Sequence, residues 1–240
     1  MQLPPALHLA IQASLHGTPQ ADLHAAAAVL SQRYRASHGA AEGPPGGRYV
    51  AAPLAALAYA AYRMPATYAA VAAALAALAA RLPAWHPRSL LDVGAGLGAA
   101  LWASATTWDD LDHAQMIESA PAMLNLGCQL AARSPHPAVS AALWQSADLL
   151  GAWRSPPHDL VTATYVLGEL PAAGRIRLIA QLWEQSSHAL LLVEPGTPQG
   201  WAIIRAAREQ LRQAGAQIVA PCPHQEACPL PANDWCHFAQ

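Results

Sequence analysis

From Ser89 onward the sequence alternates short apolar runs with longer helical patterns, and this alternation constrains the fold more than any other feature. Strands are predicted at 89–93, 113–119, 139–145, 159–167 and 188–196. Helices are predicted through about Thr107, from Pro121, over 171–185 and over 199–214. Short buried strands separated by helices are typical of a parallel sheet that is covered on both faces. The pattern therefore predicts an α/β, Rossmann-like domain over residues 86–240.

The first 85 residues carry a different pattern, in which Ala and Leu recur at helical intervals and no strand signal is present. The run EGPPGG at 42–47 divides this region into two helical parts. We predict an all-helical N-terminal extension over 1–85. The apolar stretch at 50–80 is largely alanine and is interrupted by Arg63 and Pro65, so we expect no membrane span or membrane partner.

The net charge and the composition of the first residues indicate which partners and which compartment to expect. The formal net charge is −2, which gives no general attraction to nucleic acid, and no DNA partner is expected. Arg205, Arg208 and Arg212 recur at helical spacing, as a local basic stripe or simply a solvated helix face. No basic residue precedes Arg33, so neither a secretory nor an organellar leader is visible and a cytoplasmic location is predicted. Thiols stay reduced there, which favours metal binding over disulfides.

A glycine-rich turn follows the first predicted strand at 94–98. Glycines at Gly94 and Gly96 let the backbone bend sharply and approach a ligand, and the following helix N-terminus favours negative charge. With Ala99 they satisfy the dinucleotide fingerprint G-x-G-x-x-G/A, which keeps a nicotinamide or flavin enzyme open as an alternative.

Two further residues favour a different cofactor. Asp92 and Gly98 extend the turn to D-x-G-x-G-x-G, which resembles motif I of the class I S-adenosylmethionine-dependent methyltransferases. Glu118 ends the second strand, where an acid accepts hydrogen bonds from both ribose hydroxyls in either cofactor class. Asp148, after the third strand, matches the position that contacts the adenine amino group in such methyltransferases, and a helix N-cap explains it equally well.

The sequence identifies no catalytic group. Methyl transfer needs in-line positioning more than an acid–base pair. The segment 164–170 after the fourth strand does not match the Asn/Asp-Pro-Pro-Tyr of amino-directed methyltransferases, and no cysteine nucleophile lies there. Cys128 falls on a helix and is predicted to be a structural thiol. Tyr165 and Glu169 lie on the expected substrate side, where packing or capping accounts for them equally well.

Three cysteines, Cys222, Cys228 and Cys236, lie within fifteen residues among prolines and histidines. Prolines argue against a core helix or strand, and gathered thiolates are what a soft metal or an iron–sulfur cluster requires. Small buried residues are the plainer alternative. A sixth strand is predicted at 216–221, leading into this cysteine loop of residues 221–238.

Taken together, the chain resembles the methyltransferase-like family of mitochondrial small-ribosomal-subunit assembly factors and their bacterial homologues. The matching segments are 63–68, 90–99, 159–170, 190–201 and 222–238. The resemblance implies a class I methyltransferase fold with a helical extension, S-adenosylmethionine binding, a [4Fe–4S] cluster and association with the small ribosomal subunit or its RNA. It also allows for assembly factors in which methyl transfer has not been demonstrated.

The chain departs from this family pattern at its C-terminal end. The family's fourth cysteine ligand lies downstream of Gln240, and so does the last strand, which we expect to be missing through truncation. Spacing does not select Cys128, His224 or His237 as a replacement, and structural zinc remains the alternative to the cluster. The predicted function is an S-adenosylmethionine-dependent methyltransferase acting on ribosomal RNA or the assembling small subunit. A non-catalytic assembly factor with a vestigial cofactor pocket is the alternative.

Overall fold

The computed structural model describes residues 2–37, 52–231 and 234–238. Four helices precede the first strand: α1 (Pro5–Leu15), α2 (Gln20–Ser37), α3 (Pro53–Tyr62) and α4 (Met64–Arg81). The strands are β1 (Ser89–Val93), β2 (His113–Glu118), β3 (Leu143–Ser146), β4 (His158–Thr164) and β5 (Ser186–Val193). The helices among and after them are α5 (Ala99–Thr107), α6 (Pro121–Ala131), α7 (Pro137–Ser140), α8 (Ala172–Glu184) and α9 (Pro198–Gln213).

The five strands form one parallel sheet in the order β3-β2-β1-β4-β5. β1 lies in the middle and all five of its residues are buried, as its unbroken apolar run predicts for a strand covered on both faces. The chain adds β2 and β3 on one side of β1, then crosses to add β4 and β5 on the other. The predicted α/β, Rossmann-like fold is confirmed.

Alternate residues of the strands face two separate hydrophobic cores. Leu90 and Met116 belong to the larger core, which includes residues from α1 to α7. Leu91 and Ile117, their neighbours along the strands, belong to the second core, beneath α8 and α9. Helices therefore cover both faces of the sheet.

The helices before Ser89 share the larger core with the sheet. α4 packs along α5, and Tyr68, Val71 and Leu75 are fully or almost fully buried on that side. By length and composition alone α4 is apolar enough to cross a membrane, and a third of this helix is buried inside the structure. The break predicted at 42–47 lies outside the described residues, and the domain division at 85/86 stays a prediction.

Several strand predictions differ from the structure. β4 ends at Thr164 rather than 167, and β5 ends at Val193 rather than 196. The third strand begins at Leu143 rather than 139, because Pro137 starts the short helix α7 immediately before it. The sixth strand at 216–221 is wrong: those residues form no strand. Gly215 adopts a φ of +88° at the end of α9, and the Ala216 N–H donates to Leu211 O (2.9 Å). This helix-ending bond ties the start of the segment to α9 instead of a neighbouring strand.

Candidate functional site

The predicted cofactor residues meet at the C-terminal edge of the sheet. Asp92 lies near the end of β1, Glu118 ends β2, and Asp148 follows β3. The helices that follow β1 and β4 cover opposite faces of the sheet, so the ends of these two strands are a topological switch point, where a crevice is expected. Ligands of open α/β sheets bind at such a switch point.

The glycine turn has the left-handed backbone that its sequence predicts. The φ angles of Gly94, Gly96 and Gly98 are +73°, +57° and +82°. A Cβ added to Gly94 would lie 2.5 Å from Val166 Cγ2, so this position also requires glycine for space. The Gly94 N–H donates to Ile117 O (2.9 Å), which holds the turn against β2.

Asp92 is a fully buried carboxyl group beside this turn. Its Oδ1 accepts a hydrogen bond from the Thr162 hydroxyl (2.7 Å), while Oδ2 is buried without a hydrogen-bond partner among the described residues. Burial raises the pKa of Asp92 to about 7, with a smaller contribution from the negative charge of Glu118. An orphaned carboxylate oxygen at a ligand crevice is suited to a cationic or hydrogen-bond-donating ligand group.

Glu118 holds the turn through both of its carboxylate oxygens. Oε2 accepts from the Gly96 N–H (2.8 Å), and Oε1 accepts from the Ala120 N–H (2.7 Å). Burial raises the pKa of Glu118, and these backbone N–H groups oppose the shift. Because each oxygen can accept a second hydrogen bond, the carboxylate keeps capacity for a ligand while it shapes the loop.

Asp148 occupies a more exposed position than the other two acids. Its Oδ1 accepts from the Leu150 N–H (2.9 Å), which closes a turn after β3 rather than capping a helix. The helix N-cap alternative is therefore not what the structure contains. The proposed contact with an adenine amino group stays a prediction.

The edge above β4 and β5 carries further ionisable groups. Tyr165 has a φ of +59°, a strained conformation for a non-glycine residue, and its N–H donates to Val193 O (2.7 Å). Burial raises the pKa of Glu169 well above its usual range, and the charges of Glu118 and Glu194 raise it further. Glu169, which follows β4, thus lies close enough to Glu118 at the glycine turn for their charges to interact.

Sequence reasoning missed two residues of this edge. Glu194 follows β5, and its Oε1 accepts from the N–H groups of residues 167 (2.8 Å) and 168 (3.3 Å); burial raises its pKa to about 7. The predicted fifth strand extends to 196, so the sequence placed Glu194 inside a strand, and its similarity to Glu118 follows only from the observed end of β5 at Val193. The Tyr59 hydroxyl of α3 is hydrogen-bonded to Thr67 Oγ1 (3.2 Å). Burial raises the pKa of Tyr59 to about 12, and the negative charge of Glu169 contributes to this increase. No sequence signal predicts that reach.

The cysteine loop is gathered but does not form a closed metal site in the described ranges 2–37, 52–231 and 234–238. Burial raises the pKa of Cys236, and the neighbouring thiols of Cys222 and Cys228 raise it further. No group of three or more His, Cys, Asp or Glu side chains in those ranges has a metal-binding arrangement. The donor atoms are of the soft type that iron or zinc prefers. Their role as ligands stays a prediction.

The C-terminal segment lies against the turn after β5. The Trp235 Nε1–H donates to Gly196 O (3.3 Å), and a Cβ on Gly196 would come within 3.0 Å of His237 Cβ. The cysteine loop therefore contacts Gly196, which is two residues after Glu194 in the chain. This contact lies next to the predicted substrate side.

The parallel sheet, its glycine turn and its flanking helices define this chain as an α/β protein with a Rossmann-like fold. Human N-acetylserotonin methyltransferase, solved in complex with SAM, has the same fold at a TM-score of 0.51 and 11% identity, over 68% of this chain and 48% of that one. An amino pentose methyltransferase from Micromonospora echinaspora is 26% identical over 59% of this chain and 57% of its own, with a TM-score of 0.46.

Residues 53–240 match the family described as mitochondrial small ribosomal subunit Rsm22, and the chain belongs to that family. It is 31% identical over 198 residues to the human mitochondrial ribosome assembly protein METTL17. The matched region covers 77% of this chain and 43% of that protein. It is 27% identical over 159 residues to the mitochondrial Rsm22-cox11 tandem protein 2 of Schizosaccharomyces pombe, over 59% of this chain and 21% of that protein. The chain thus spans less than half the length of these relatives.

The predicted cytoplasmic location is wrong in light of these relatives. The matching family and the human and fission-yeast proteins are all described as mitochondrial. The prediction rested on the composition of the first residues, and a leader is informative only at the beginning of a complete protein. A chain that spans less than half of its relatives does not allow that inference.

Proposed function

We propose that this protein binds S-adenosylmethionine at the glycine turn and acts as a methyltransferase on ribosomal RNA or the assembling small subunit. The observation that carries the proposal is the orphaned, fully buried Oδ2 of Asp92 beside three glycines with positive φ. The membership of the Rsm22 family supports the ribosomal part, and the relatives indicate the mitochondrion as the compartment.

The electrostatics of the crevice favour this cofactor over a nicotinamide dinucleotide. Asp92, Glu118, Glu169 and Glu194 all have raised pKa values, chiefly because burial disfavours their charged forms. A ligand with cationic groups stabilises ionised carboxylates, whereas a pyrophosphate brought near them meets like charge. S-adenosylmethionine, when bound, supplies an electrophilic methyl group on a sulfonium and also carries an ammonium group.

Within this proposal each residue has a defined task. The unpartnered Oδ2 of Asp92 accepts from a donor group of the cofactor, and Glu118 binds the ribose hydroxyls while it holds the turn through Gly96. Asp148 contacts the adenine. Tyr165 and Glu169 line the side from which the methyl acceptor enters.

Titration calorimetry with S-adenosylmethionine tests the binding step. Glu118→Gln should weaken binding about tenfold or more, because a charge-assisted hydrogen bond to a hydroxyl contributes about 1.5–3 kcal/mol. Glu184→Gln, an exposed position on α8, is the matched control and should leave the affinity unchanged. Absence of binding heat in the unaltered protein, or equal affinities of both variants, would contradict the proposal.

A non-catalytic assembly factor is the second candidate function. The segment 164–170 lacks the motif of amino-directed methyltransferases, and both oxygens of Glu118 already accept backbone hydrogen bonds. Transfer of a tritiated methyl group from the cofactor to small-subunit RNA separates the candidates. Transfer that Asp92→Ala abolishes supports the enzyme; binding without transfer supports the assembly factor.

We further propose that Cys222, Cys228 and Cys236 hold a [4Fe–4S] cluster, with zinc as the alternative. Burial raises the pKa of Cys236 and the charges of Cys222 and Cys228 raise it further, and this interaction, with the soft sulfur donors of all three residues, supports the proposal. A broad brown absorbance of anaerobically purified protein indicates iron–sulfur, and a colourless protein with one equivalent of zinc indicates zinc. Cys228→Ser should lose the metal, whereas Cys128→Ser on α6 should retain it.

A further inference from the structure

A groove between α9 and the cysteine loop lies outside the proposed S-adenosylmethionine site and shares one residue, Cys228, with the proposed metal site. It has a volume of about 340 Å³. Its lining residues are Ala202, Arg205, Ala206, Arg208, Glu209, Ala227 and Cys228. The alanine side chains are short, so the longer side chains of the two arginines occupy most of the α9 side of the groove. The face of α9 that borders the groove is the basic stripe noted in the sequence.

Two of the three charged side chains that line this groove are arginines. The guanidinium of Arg208 donates to His224 O (2.6 Å), which fixes its position against the loop without neutralising its charge. Glu209 is the acid of the lining, and its carboxylate pairs with Arg212 (2.7 Å). Arg205 is exposed and contributes a further positive charge. This local surface differs from the whole chain, whose net charge is −2.

Aromatic side chains lie on α9 itself and on the C-terminal segment that contacts the turn before α9. The Arg205 guanidinium carbon lies 4.5 Å from the centroid of the Trp201 ring, in a cation–π contact between residues one helical turn apart on α9. Trp235 is 38% exposed and Phe238 is 70% exposed. The hydrogen bond from the Trp235 indole to Gly196 O places this ring at the turn just before α9. Phe238 follows in the same C-terminal segment. The surface thus combines stacking platforms with guanidinium groups.

We propose that this surface, Trp201, Arg205, Arg208, Trp235 and Phe238, binds a single-stranded segment of RNA. Aromatic rings and guanidinium planes stack on unpaired bases, while positive charge follows the phosphates. A duplex keeps its bases inside and has no use for exposed rings, and an acidic polypeptide would match the charges but not the stacking surfaces. The inference deepens the proposed ribosomal role by naming a contact surface for its RNA, and it does not depend on cofactor binding.

Fluorescence anisotropy of a 5′-labelled twelve-nucleotide uridine RNA, titrated with the full chain under reducing conditions, tests the inference. Trp201→Ala and Arg205→Ala should each weaken binding about tenfold, and Trp201→Phe should restore most of the affinity because it keeps a stacking face. Arg205→Ala should also reduce the slope of log K against log salt concentration by about 1, because one phosphate contact is lost. Arg133→Ala, an exposed arginine after α6 toward the β3 edge, is the charge-matched control and should change affinity less than twofold.

The outcomes separate this inference from its rivals. Equal affinities for Trp201→Ala, Arg133→Ala and the unaltered protein would overturn it, and so would no binding at 100 mM salt. Displacement of the RNA by polyglutamate as readily as by unlabelled RNA would overturn it in favour of an acidic protein partner. Calorimetry with S-adenosylmethionine on the same variants should give unchanged heats, so that failure of the cofactor proposal and failure of this surface are distinguishable.

Discussion

Replacing Asp92 with asparagine tests the physical state of the buried carboxyl group. The folded-state pKa of Asp92 is about 7 and its ordinary value is 3.8, so the folded protein retains a proton that the unfolded chain has released. Between these values the folded state binds more protons, and stability falls as pH rises. The loss begins near pH 4 and is complete above pH 7. A difference of about three pKa units corresponds to about 4 kcal/mol.

Asp92→Asn removes this dependence because the amide stays neutral and its oxygen still accepts from the Thr162 hydroxyl. Relative to the unaltered protein, the variant should gain about 1.4 kcal/mol per pH unit between pH 5 and pH 7. Urea unfolding followed by tryptophan fluorescence at pH 5, 6, 7 and 8 measures this difference. Other acids with raised pKa values lower the stability of both proteins as pH rises, and the comparison cancels most of their contribution.

Asp159→Asn is a control of opposite sign in the same sheet. Partial burial raises the pKa of Asp159, but hydrogen bonds from the N–H groups of Arg88 (2.8 Å) and Ser89 (3.1 Å) outweigh it and the net shift is downward. Its contribution to stability is therefore present above pH 4 and lost as pH falls. The Asp159→Asn deficit should shrink toward acid pH. A pH-independent difference between Asp92→Asn and the unaltered protein would refute the reasoning.

Three further results are expected. Gly94→Ala should destabilise the fold by about 2–3 kcal/mol and prevent cofactor binding in calorimetry, since the new Cβ meets Val166 at 2.5 Å; Gly215→Ala, with a similar φ but no neighbour within 4 Å, should cost only about 1 kcal/mol. Gly127→Ala should cost about 1–3 kcal/mol in urea unfolding and shift the tryptophan emission, because its Cβ would lie 2.5 Å from the Trp144 ring. Chelation of the metal from anaerobically purified protein should lower the unfolding temperature by several degrees while cofactor heats persist; an unchanged temperature would show that the metal does not stabilise the fold.

The sequence predicts most accurately where several local signals agree. β1 has the predicted bounds 89–93, and α6 begins at the predicted Pro121. At both places an apolar run is followed by a residue with a distinctive backbone: glycine, which accepts positive φ in the turn, and proline, whose fixed φ suits the first helical position. All three glycines at 94–98 adopt the positive φ that the turn requires. These features depend on neighbours in the chain, which a sequence shows directly.

What the sequence could not predict depends on packing between distant segments. The run 216–221 has the composition of a strand, but its start is bonded back to α9 and it makes no strand pairing. Tyr59 lies more than one hundred residues before Glu169 in the chain, and only the packing of the helices before Ser89 brings their charges together. The double role of Glu118, as a backbone acceptor and a predicted ribose ligand, likewise needed the position of the turn.

The turn after β5 connects the two candidate sites through a few contacts. Glu194 holds the backbone N–H groups of 167–168, which form the predicted substrate side, and two residues later Gly196 accepts from Trp235 of the cysteine loop. A Cβ at Gly168 would lie 3.1 Å from the Glu194 carboxylate, so this packing is tight on the substrate side. The same short turn therefore contacts both the cysteine loop and the backbone of 167–168 on the substrate side. The loop therefore has a structural reason to lie where it does even if no step of chemistry passes through its cysteines.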